Sequence, residues 1–257
     1  MDEIPGILAC DVGNSAVHLA AVCGDEVSAP RILNTGQLSG LGEAMVAIWE
    51  HLPTPRSVVA CSVSPASLKA VEATALDALS TEVLVVGRDL PLPIETRLTT
   101  PASAGTDRLC AAVAAYDRLG HACVVADFGS AITVDCVDDD GVFLGGAIMP
   151  GLRMSLKALH DSTAQLPHVE LAEPNWTFGR DTRQAILGGV VYAARGALRA
   201  LVESYATALG RWPVVIATGG DAPLICHDAN HNELIQAIVP DLTLRGAAIA
   251  YYRTLLR

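Results

Sequence analysis

One short pattern occurs twice in this 257-residue chain, and it constrains the fold more than any other feature of the sequence. An apolar run ends at Asp11 and is followed by a glycine turn and a second apolar run, and the same arrangement begins at Asp127, 116 positions later. Strands also alternate with helices elsewhere in the chain. We therefore predict an α/β protein of two duplicated lobes, each a mixed sheet flanked by helices, with boundaries at residues 1–118 and 119–257.

The composition, with 51% hydrophobic and only 4% aromatic residues, suits tightly packed parallel sheets covered by helices. The net charge of −11 argues against nucleic acid as a main partner, because binding a phosphate backbone requires a basic face. The acidic N-terminus and the lack of an apolar stretch of about 18 residues predict a cytoplasmic protein without signal peptide or membrane span. The seven cysteines form no Cys-x-x-Cys pair and are expected to be buried, reduced thiols.

The first turn carries groups that suit a nucleotide phosphate. Asp11 lies at the tip of a predicted strand, Gly13 permits close approach of a phosphate, and Asn14 and Ser15 add donors. The carboxylate can hold a hydrated Mg²⁺ that carries ATP, since Mg²⁺ prefers carboxylate, water and phosphate oxygens. A single Asp-x-Gly turn is typical of an ordinary hairpin. The second copy at residues 127–131 is what favours a phosphotransferase, because two such loops could grip one polyphosphate.

Two further motifs indicate how substrates are held. Residues 217–223, ATGGDAP, follow a predicted strand, and their paired glycines would let the backbone approach a flat nucleobase or ribose. Asp107 falls in the first turn of a predicted helix, as a favourable helix start or as a general base. Arg108 beside it could clamp a carboxylate bidentately. A base next to an anion clamp suits a small hydroxy acid as acceptor. The plainer interpretations are an ordinary strand–turn–helix connection at residues 217–223 and a favourable helix start at Asp107.

Five motifs, read together, resemble those of the type III pantothenate kinases of the sugar kinase/Hsp70/actin superfamily. In chain order they are DVGNS (11–15), GTDR (105–108), the run from ADFGSAITVD to GVFLGGAIMPG (126–151), GRDT (179–182) and TGGD (218–221). The resemblance implies two RNase H-like lobes with a nucleotide cleft between them. It also implies ATP-dependent phosphorylation of pantothenate to 4′-phosphopantothenate, the first step of coenzyme A biosynthesis.

The resemblance carries expectations for individual residues. Asp107 is expected to be the catalytic base. Asp11 is expected to bind Mg²⁺, and Asp127 to bind a monovalent cation, K⁺ or NH₄⁺. The second lobe is expected to form an obligate homodimer with a shared active site. The expected pantothenate contacts are Gly105, Thr106, Asp107, Arg108 and, across the dimer interface, Thr182. The expected nucleotide contacts, with the paired glycines included, are Asp11, Val12, Gly13, Asn14, Ser15, His18, Ser130, Gly219 and Gly220.

Three positions depart from the family pattern. Ser130 replaces a threonine and keeps its hydroxyl, and Thr106 replaces a commonly small residue. His18 stands where a lysine is frequent, and a mostly neutral imidazole would weaken that phosphate contact. Thr182, judged from its position alone, is interpreted as a helix cap. Two alternatives stay open: a kinase for another small hydroxy acid, and a non-catalytic nucleotide-binding regulator of the same fold.

Overall fold

The computed structural model describes residues 4–226 and 234–255. They form two compact units, the first made of residues 4–118 with 241–255 and the second of residues 119–240. The strands are β1 (Gly6–Val12), β2 (Ala16–Cys23), β3 (Glu26–Val27), β4 (Arg31–Asn34), β5 (Arg56–Ser62), β6 (Val83–Val85), β7 (Glu95–Thr96), β8 (Cys123–Phe128), β9 (Ala131–Val137), β10 (Val142–Pro150), β11 (Val214–Thr218) and β12 (Ala237–Ile238). The helices are α1 (Leu41–Trp49), α2 (Pro65–Leu79), α3 (Thr106–Leu119), α4 (Leu152–Asp161), α5 (Thr182–Leu209), α6 (Ala222–Cys226) and α7 (Leu242–Leu255), with a 3-10 turn at Pro101–Ser103.

The sheet of the first unit has β1 near its centre, in the order β3-β2-β1-β5-β6, with β4 also pairing with β2. The hairpin strands β1 and β2 are antiparallel, whereas β1, β5 and β6 run parallel. Asp11 consequently lies opposite His18 on β2 and beside Cys61 on β5. The carboxyl ends of the parallel strands meet at the edge where Asp11 stands, which is where open α/β sheets bind their ligands.

Helices cover both faces of the first sheet. On one face, α1 and α2 contribute Leu41, Met45 and Val71 to a buried apolar cluster. On the other face lies α7, at the end of the described chain, with Leu244 in the second cluster. The predicted second lobe of residues 119–257 differs from the structure in this helix, which belongs to the first unit. The apolar pattern of α7 predicts a buried face but does not specify which sheet that face covers.

Five strands of the six-stranded second sheet repeat the order of the first. They follow one another as β10-β9-β8-β11-β12, with β8, β9 and β10 antiparallel and β8, β11 and β12 parallel. This is the same arrangement as in the first unit, with β8 in the place of β1. The predicted duplication of a mixed sheet flanked by helices is therefore confirmed.

The long helix α5 forms the side of the second unit. It has 28 residues and ends at Gly210, which adopts a left-handed φ of 70° that favours glycine. By length and composition alone it could cross a membrane, a property that the sequence reading did not foresee. One side of α5, however, is buried in the apolar core of the second unit, as in the core helix of a globular protein. The buried residues of this side include Ile186, Val191, Leu198 and Val202.

Candidate active site

The first glycine turn joins β1 to β2 and is held tightly by its own backbone. The Gly13 amide donates to the Ala16 carbonyl at 3.0 Å. A Cβ at Gly13 would come within 3.1 Å of that carbonyl oxygen, so glycine suits the close turn. Thr35 fixes the tip, since its amide donates to the Ser15 carbonyl at 3.1 Å and its hydroxyl to the Asn14 carbonyl at 2.8 Å. Val12, an expected nucleotide contact, is fully buried, main chain included.

His18 lies on the same side of the first sheet as Asp11, because the two residues are directly opposite in the β1–β2 pair. Burial lowers the pKa of the His18 imidazole below its ordinary value. The ring is therefore neutral at pH 7, and it does not bring the positive charge that a lysine would bring to a phosphate.

A buried thiol that the sequence reading did not select lies behind Asp11. Cys61 donates its S–H to Asp11 Oδ1 at 3.7 Å. A hydrogen bond with Cys110, burial, and the carboxylates of Asp11 and Asp107 raise the pKa of the Cys61 thiol well above its ordinary value. Asp11 and Asp107, 96 positions apart in the chain, thus both raise the pKa of one thiol of the first unit, and Asp11 also accepts its hydrogen bond.

The candidate base stands at the start of α3. Asp107 Oδ1 accepts a hydrogen bond from the amide of Arg108 at 2.8 Å, so part of the carboxylate satisfies the first turn of the helix. The carboxylate also folds back over Gly105, where a Cβ would overlap Asp107 Oδ1. Glycine is consequently required at position 105 for this orientation of the acid. Asp107 and Arg108 are both partly exposed.

The turn at Asp127 is shorter than its counterpart by one residue. Two residues, Gly129 and Ser130, separate β8 from β9, whereas three separate β1 from β2. The Gly129 amide donates to the Ala131 carbonyl at 3.1 Å and closes the turn. The two Asp-x-Gly turns are therefore related but not equivalent in shape.

Two glycines from other elements pack directly on the second turn. Gly219 has a φ of 90°, and a Cβ there would overlap Asp127 Oδ1 and come within 2.5 Å of the Phe128 carbonyl carbon. Gly151, before α4, would overlap the carbonyl oxygen of Ser130 if it carried a Cβ. A Cβ at Gly220, by contrast, would meet no described atom within 4 Å. These close approaches of main chain to the second turn, called the cradle below, explain why glycine stands at positions 151 and 219.

An ion pair beside this cradle was also missed by the sequence reading. Arg153 on α4 contacts Asp221, which follows the two glycines, with Nη2 and Oδ1 3.2 Å apart. Burial raises the pKa of the Asp221 carboxyl, although Arg153 acts in the opposite direction. The Asp221 side chain is only 14% exposed, while that of Arg153 is 69% exposed. Asp221 could have been selected from the sequence as a site residue, because it is the last residue of the TGGD motif.

Thr182 does not cap α5, which corrects the interpretation from its position. The cap is Asp181, whose side chain accepts a hydrogen bond from the amide of Gln184 at 2.9 Å. The Gln184 side chain in turn accepts from the Arg180 amide, the residue before the cap, at 2.9 Å. Thr182 is the first helical residue and is exposed, so its side chain is available to a ligand or a partner.

The donor set for a divalent metal is small. Within residues 4–226 and 234–255, no three His, Cys, Asp or Glu side chains are placed to share one ion. A kinase Mg²⁺ is usually held through one or two carboxylates, waters and the substrate phosphates. The carboxylate of Asp11, at the mouth of a glycine turn, fits that requirement.

Comparison with known proteins gives a consistent answer. A family model described as type III pantothenate kinase matches residues 7–204. The chain is 34% identical over 248 residues to the type III pantothenate kinase of Paramagnetospirillum magneticum, covering 93% of this chain and 94% of the relative. It is 32% identical over 254 residues to that of Moorella thermoacetica, covering 96% and 99%. A solved structure described as a conserved Baf family transcriptional activator from Campylobacter jejuni has a TM-score of 0.61 at 19% identity, covering 98% of this chain and 100% of the other, which shows the fold alone.

Proposed function

This chain belongs to the type III pantothenate kinases, and on that premise we propose which of its residues carry out the reaction. The activity is the ATP-dependent phosphorylation of pantothenate to 4′-phosphopantothenate, the first step of coenzyme A biosynthesis. The observation that carries the residue assignment is that both acids are tied to the end of β5: Asp11 Oδ1 accepts from the Cys61 thiol at 3.7 Å, and Thr106, next to Asp107, is hydrogen-bonded to Ser62, the residue after Cys61. A metal-binding carboxylate and a candidate base thereby come from different elements of one unit.

In the proposed mechanism, Asp107 is the general base. Its carboxylate takes the proton of the pantothenate hydroxyl as that oxygen attacks the γ-phosphorus of ATP. The bond from the γ-phosphorus to the bridging oxygen breaks, and ADP leaves. Little covalent chemistry is needed from the protein, so most of the rate enhancement comes from position and charge.

The pantothenate contacts are proposed at the start of α3 and at Thr182. Arg108 pairs with the pantothenate carboxylate, because guanidinium binds carboxylate bidentately. Gly105 and Thr106 line the same place by their main chain, since the Thr106 hydroxyl is engaged with the backbone of Ser62. The exposed side chain of Thr182 contacts pantothenate bound to a partner subunit.

In the first unit, the turn from Asp11 to Ser15 and His18 are proposed to face the ATP phosphates. In the second unit, Ser130 is proposed to contact ATP, with Gly219 and Gly220 near the ribose or base. Gly220 is the glycine with room for that contact, because a Cβ there would meet no described atom within 4 Å, whereas the Cβ position of Gly219 is filled by Asp127 and Phe128. Asp11 would hold the Mg²⁺, which supplies neutralisation of the charge on the phosphates when it is bound.

The remaining parts of the proposal are a monovalent cation, K⁺ or NH₄⁺, at Asp127 and a cytoplasmic location. Asp127 sits under Gly219 with its carboxylate close to the backbone of the cradle. A monovalent cation there would balance the acidic side chain next to an anionic nucleotide. The shorter second turn supports a role for Asp127 that differs from that of Asp11.

The assay that tests this function measures ADP release with ATP, Mg²⁺, K⁺ and pantothenate. We expect ADP release that requires pantothenate and that falls severalfold when Na⁺ replaces K⁺, because Asp127 would select the larger cation. A panel of other small hydroxy acids tests the alternative acceptors. Failure of pantothenate to stimulate ADP release would contradict the kinase assignment. Equal rates in K⁺ and Na⁺ would overturn the cation role of Asp127 while leaving the kinase assignment in place.

A homodimer is the second part of the proposal that can be tested directly. The second unit exposes large apolar side chains, among them Ile148 on β10 at 63%, Phe178 at 78%, and Tyr192 on α5 at 46%. These three residues are proposed as candidates for contact with a partner subunit. Phe178 lies four positions from Thr182, so the proposed contact residue is close in sequence to one of them.

Mixing two inactive variants tests whether the active site is shared. A subunit with Asp107→Asn and one with Thr182→Arg should together regain about a quarter of wild-type activity, since random pairing leaves one intact site in half of the dimers. Activity after co-refolding or co-expression is the measurement, alongside a solution mass twice the 26.8 kDa of the chain. Asp107→Asn mixed with Asp11→Asn is the control, because both changes lie in the site of the same subunit. Recovery equal to that control, or a fully active monomer, would refute the shared site.

A further inference from the structure

The Thr106 side chain is tied to the first sheet by two hydrogen bonds. Its hydroxyl donates to the Ser62 carbonyl at 2.9 Å and accepts from the Ser62 amide at 3.1 Å. Ser62 is the last residue of β5 and Thr106 the first of α3, 44 positions later. The only proton that the threonine hydroxyl can donate is used in this contact. The start of the helix that carries Asp107 is therefore joined to the end of a strand in the sheet.

Ser62 is joined in turn to the first glycine turn. Its hydroxyl lies 3.3 Å from the Val12 carbonyl oxygen and 3.2 Å from that of Ser64, and it donates its proton to one or the other. The amide of Val63 also donates to the Val12 carbonyl, at 3.2 Å. Val12 is the middle residue of the Asp-x-Gly sequence that begins at Asp11. Its carbonyl thus accepts from the same strand end that holds Thr106.

We propose that Thr106 and Ser62 form a latch that fixes the position of Asp107 relative to the phosphate turn at Asp11. Thr106 is then a positioning residue for the base, and its hydroxyl is not a pantothenate ligand. This inference rests on the proposed role of Asp107 as general base.

The position of Asp107 matters for the rate of the phosphoryl transfer that it is proposed to assist. An in-line phosphoryl transfer requires the base, the acceptor hydroxyl and the γ-phosphate to be aligned, and a shift of about 1 Å can cost roughly 100-fold in rate. The two hydrogen bonds of the Thr106 hydroxyl join the residue directly before Asp107 to the sheet.

The test compares Thr106→Val, which keeps the shape and removes the hydroxyl, with Thr106→Ser, which keeps the hydroxyl. We expect kcat to fall about 10- to 100-fold in Thr106→Val and to stay within about 3-fold in Thr106→Ser. The dissociation constant of pantothenate, measured by calorimetry, should change less than about 3-fold in both. Thr74→Val is the matched control, because the Thr74 hydroxyl donates only to the Ala70 carbonyl within α2, at 2.8 Å.

A double-variant cycle shows whether Thr106 acts through Asp107. In an Asp107→Asn background, Thr106→Val should lower the residual kcat less than about 2-fold, because the group that it positions is already gone. A full additional loss there, or weaker pantothenate binding at unchanged kcat, would overturn the latch and assign the hydroxyl to the substrate. Unchanged kcat in Thr106→Val would also overturn it.

Two results keep the test decisive if Thr106→Val folds poorly. Ser62→Ala removes the hydroxyl that donates to the Val12 or the Ser64 carbonyl without changing Thr106, and we expect it to lower kcat with pantothenate affinity unchanged. Wild-type kcat in a folded Ser62→Ala protein would overturn the latch. If Asp107→Asn alone keeps normal activity, the proposed base is wrong. If Asp107→Asn is inactive while Thr106→Val is normal, only the latch is wrong.

Discussion

Asp107→Asn should lower kcat by about 100- to 10,000-fold and leave the fold intact, because it removes the general base and little else. Asparagine keeps an oxygen that can accept the hydrogen bond now donated by the Arg108 amide at 2.8 Å. The lost negative charge near the helix N-terminus should reduce the free energy of unfolding by only about 0.3–1 kcal/mol. Steady-state kinetics with varied pantothenate, together with a thermal melt, measures both effects.

The matched control is Asp117→Asn, on the same helix. Asp117 makes an exposed ion pair with Arg253, with Oδ1 and Nη2 2.6 Å apart, far along α3 from its first turn. The charge change is the same, so kcat should stay near that of wild type and the stability cost should be small. A kcat within about 3-fold of wild type in Asp107→Asn would show that another group takes the proton. A large rise in KM with kcat unchanged would instead make Asp107 a binding residue.

The duplication was predictable because its signal is local and repeated. The Asp-x-Gly turns at Asp11 and Asp127 each follow an apolar strand and precede a second one. Short-range patterns of this kind report strand ends and tight turns directly. The start of α3 at Thr106 was predicted for the same reason, since GTDR combines a glycine with an acidic first turn.

The parts that sequence did not reveal depend on contacts between distant positions. The Thr106 hydroxyl finds its partners 44 positions away in Ser62, and Cys61 is 50 positions from Asp11. No spacing or propensity rule connects such residues. Even the local cap of α5 was misassigned, because Asp181 and Thr182 are adjacent residues that can both accept a capping hydrogen bond.

The same distinction, between local sequence signals and contacts of distant residues, explains why the placement of α7 was not predicted. Its apolar positions predict a helix with a buried face, but the fold has two similar sheets on which that face could pack. The choice is made by close packing at Gly246, where a Cβ would overlap the carbonyl oxygen of Cys110 in α3. Glycine at that position allows α7 to approach α3 at backbone distance, which brings the end of the chain back to the first unit.

Gly219→Ala should strongly destabilise the second unit and weaken its use of ATP. The backbone at Gly219 has a φ of 90°, and the added Cβ would overlap Asp127 Oδ1. The unfavourable backbone angle and the forced movement of the second turn should together lower the free energy of unfolding by about 2–4 kcal/mol. We expect kcat/KM for ATP to fall about 100-fold, because the added Cβ would displace the turn that carries Ser130 by up to about 1 Å, and a displacement of that size can lower the rate about 100-fold.

Gly220→Ala separates a specific effect at Gly219 from a general sensitivity of the paired glycines. A Cβ at Gly220 meets no described atom within 4 Å, so the protein should melt near the wild-type temperature. If Gly220 faces the ribose or base, the added methyl should raise KM for ATP moderately while kcat is kept, since only ground-state binding is affected. Equal loss of stability in the two variants would mean that the cradle is not held by contact between Gly219 and Asp127. Wild-type ATP kinetics in a folded Gly219→Ala protein would remove this turn from the nucleotide site altogether, and with it the reason for placing the cation at Asp127.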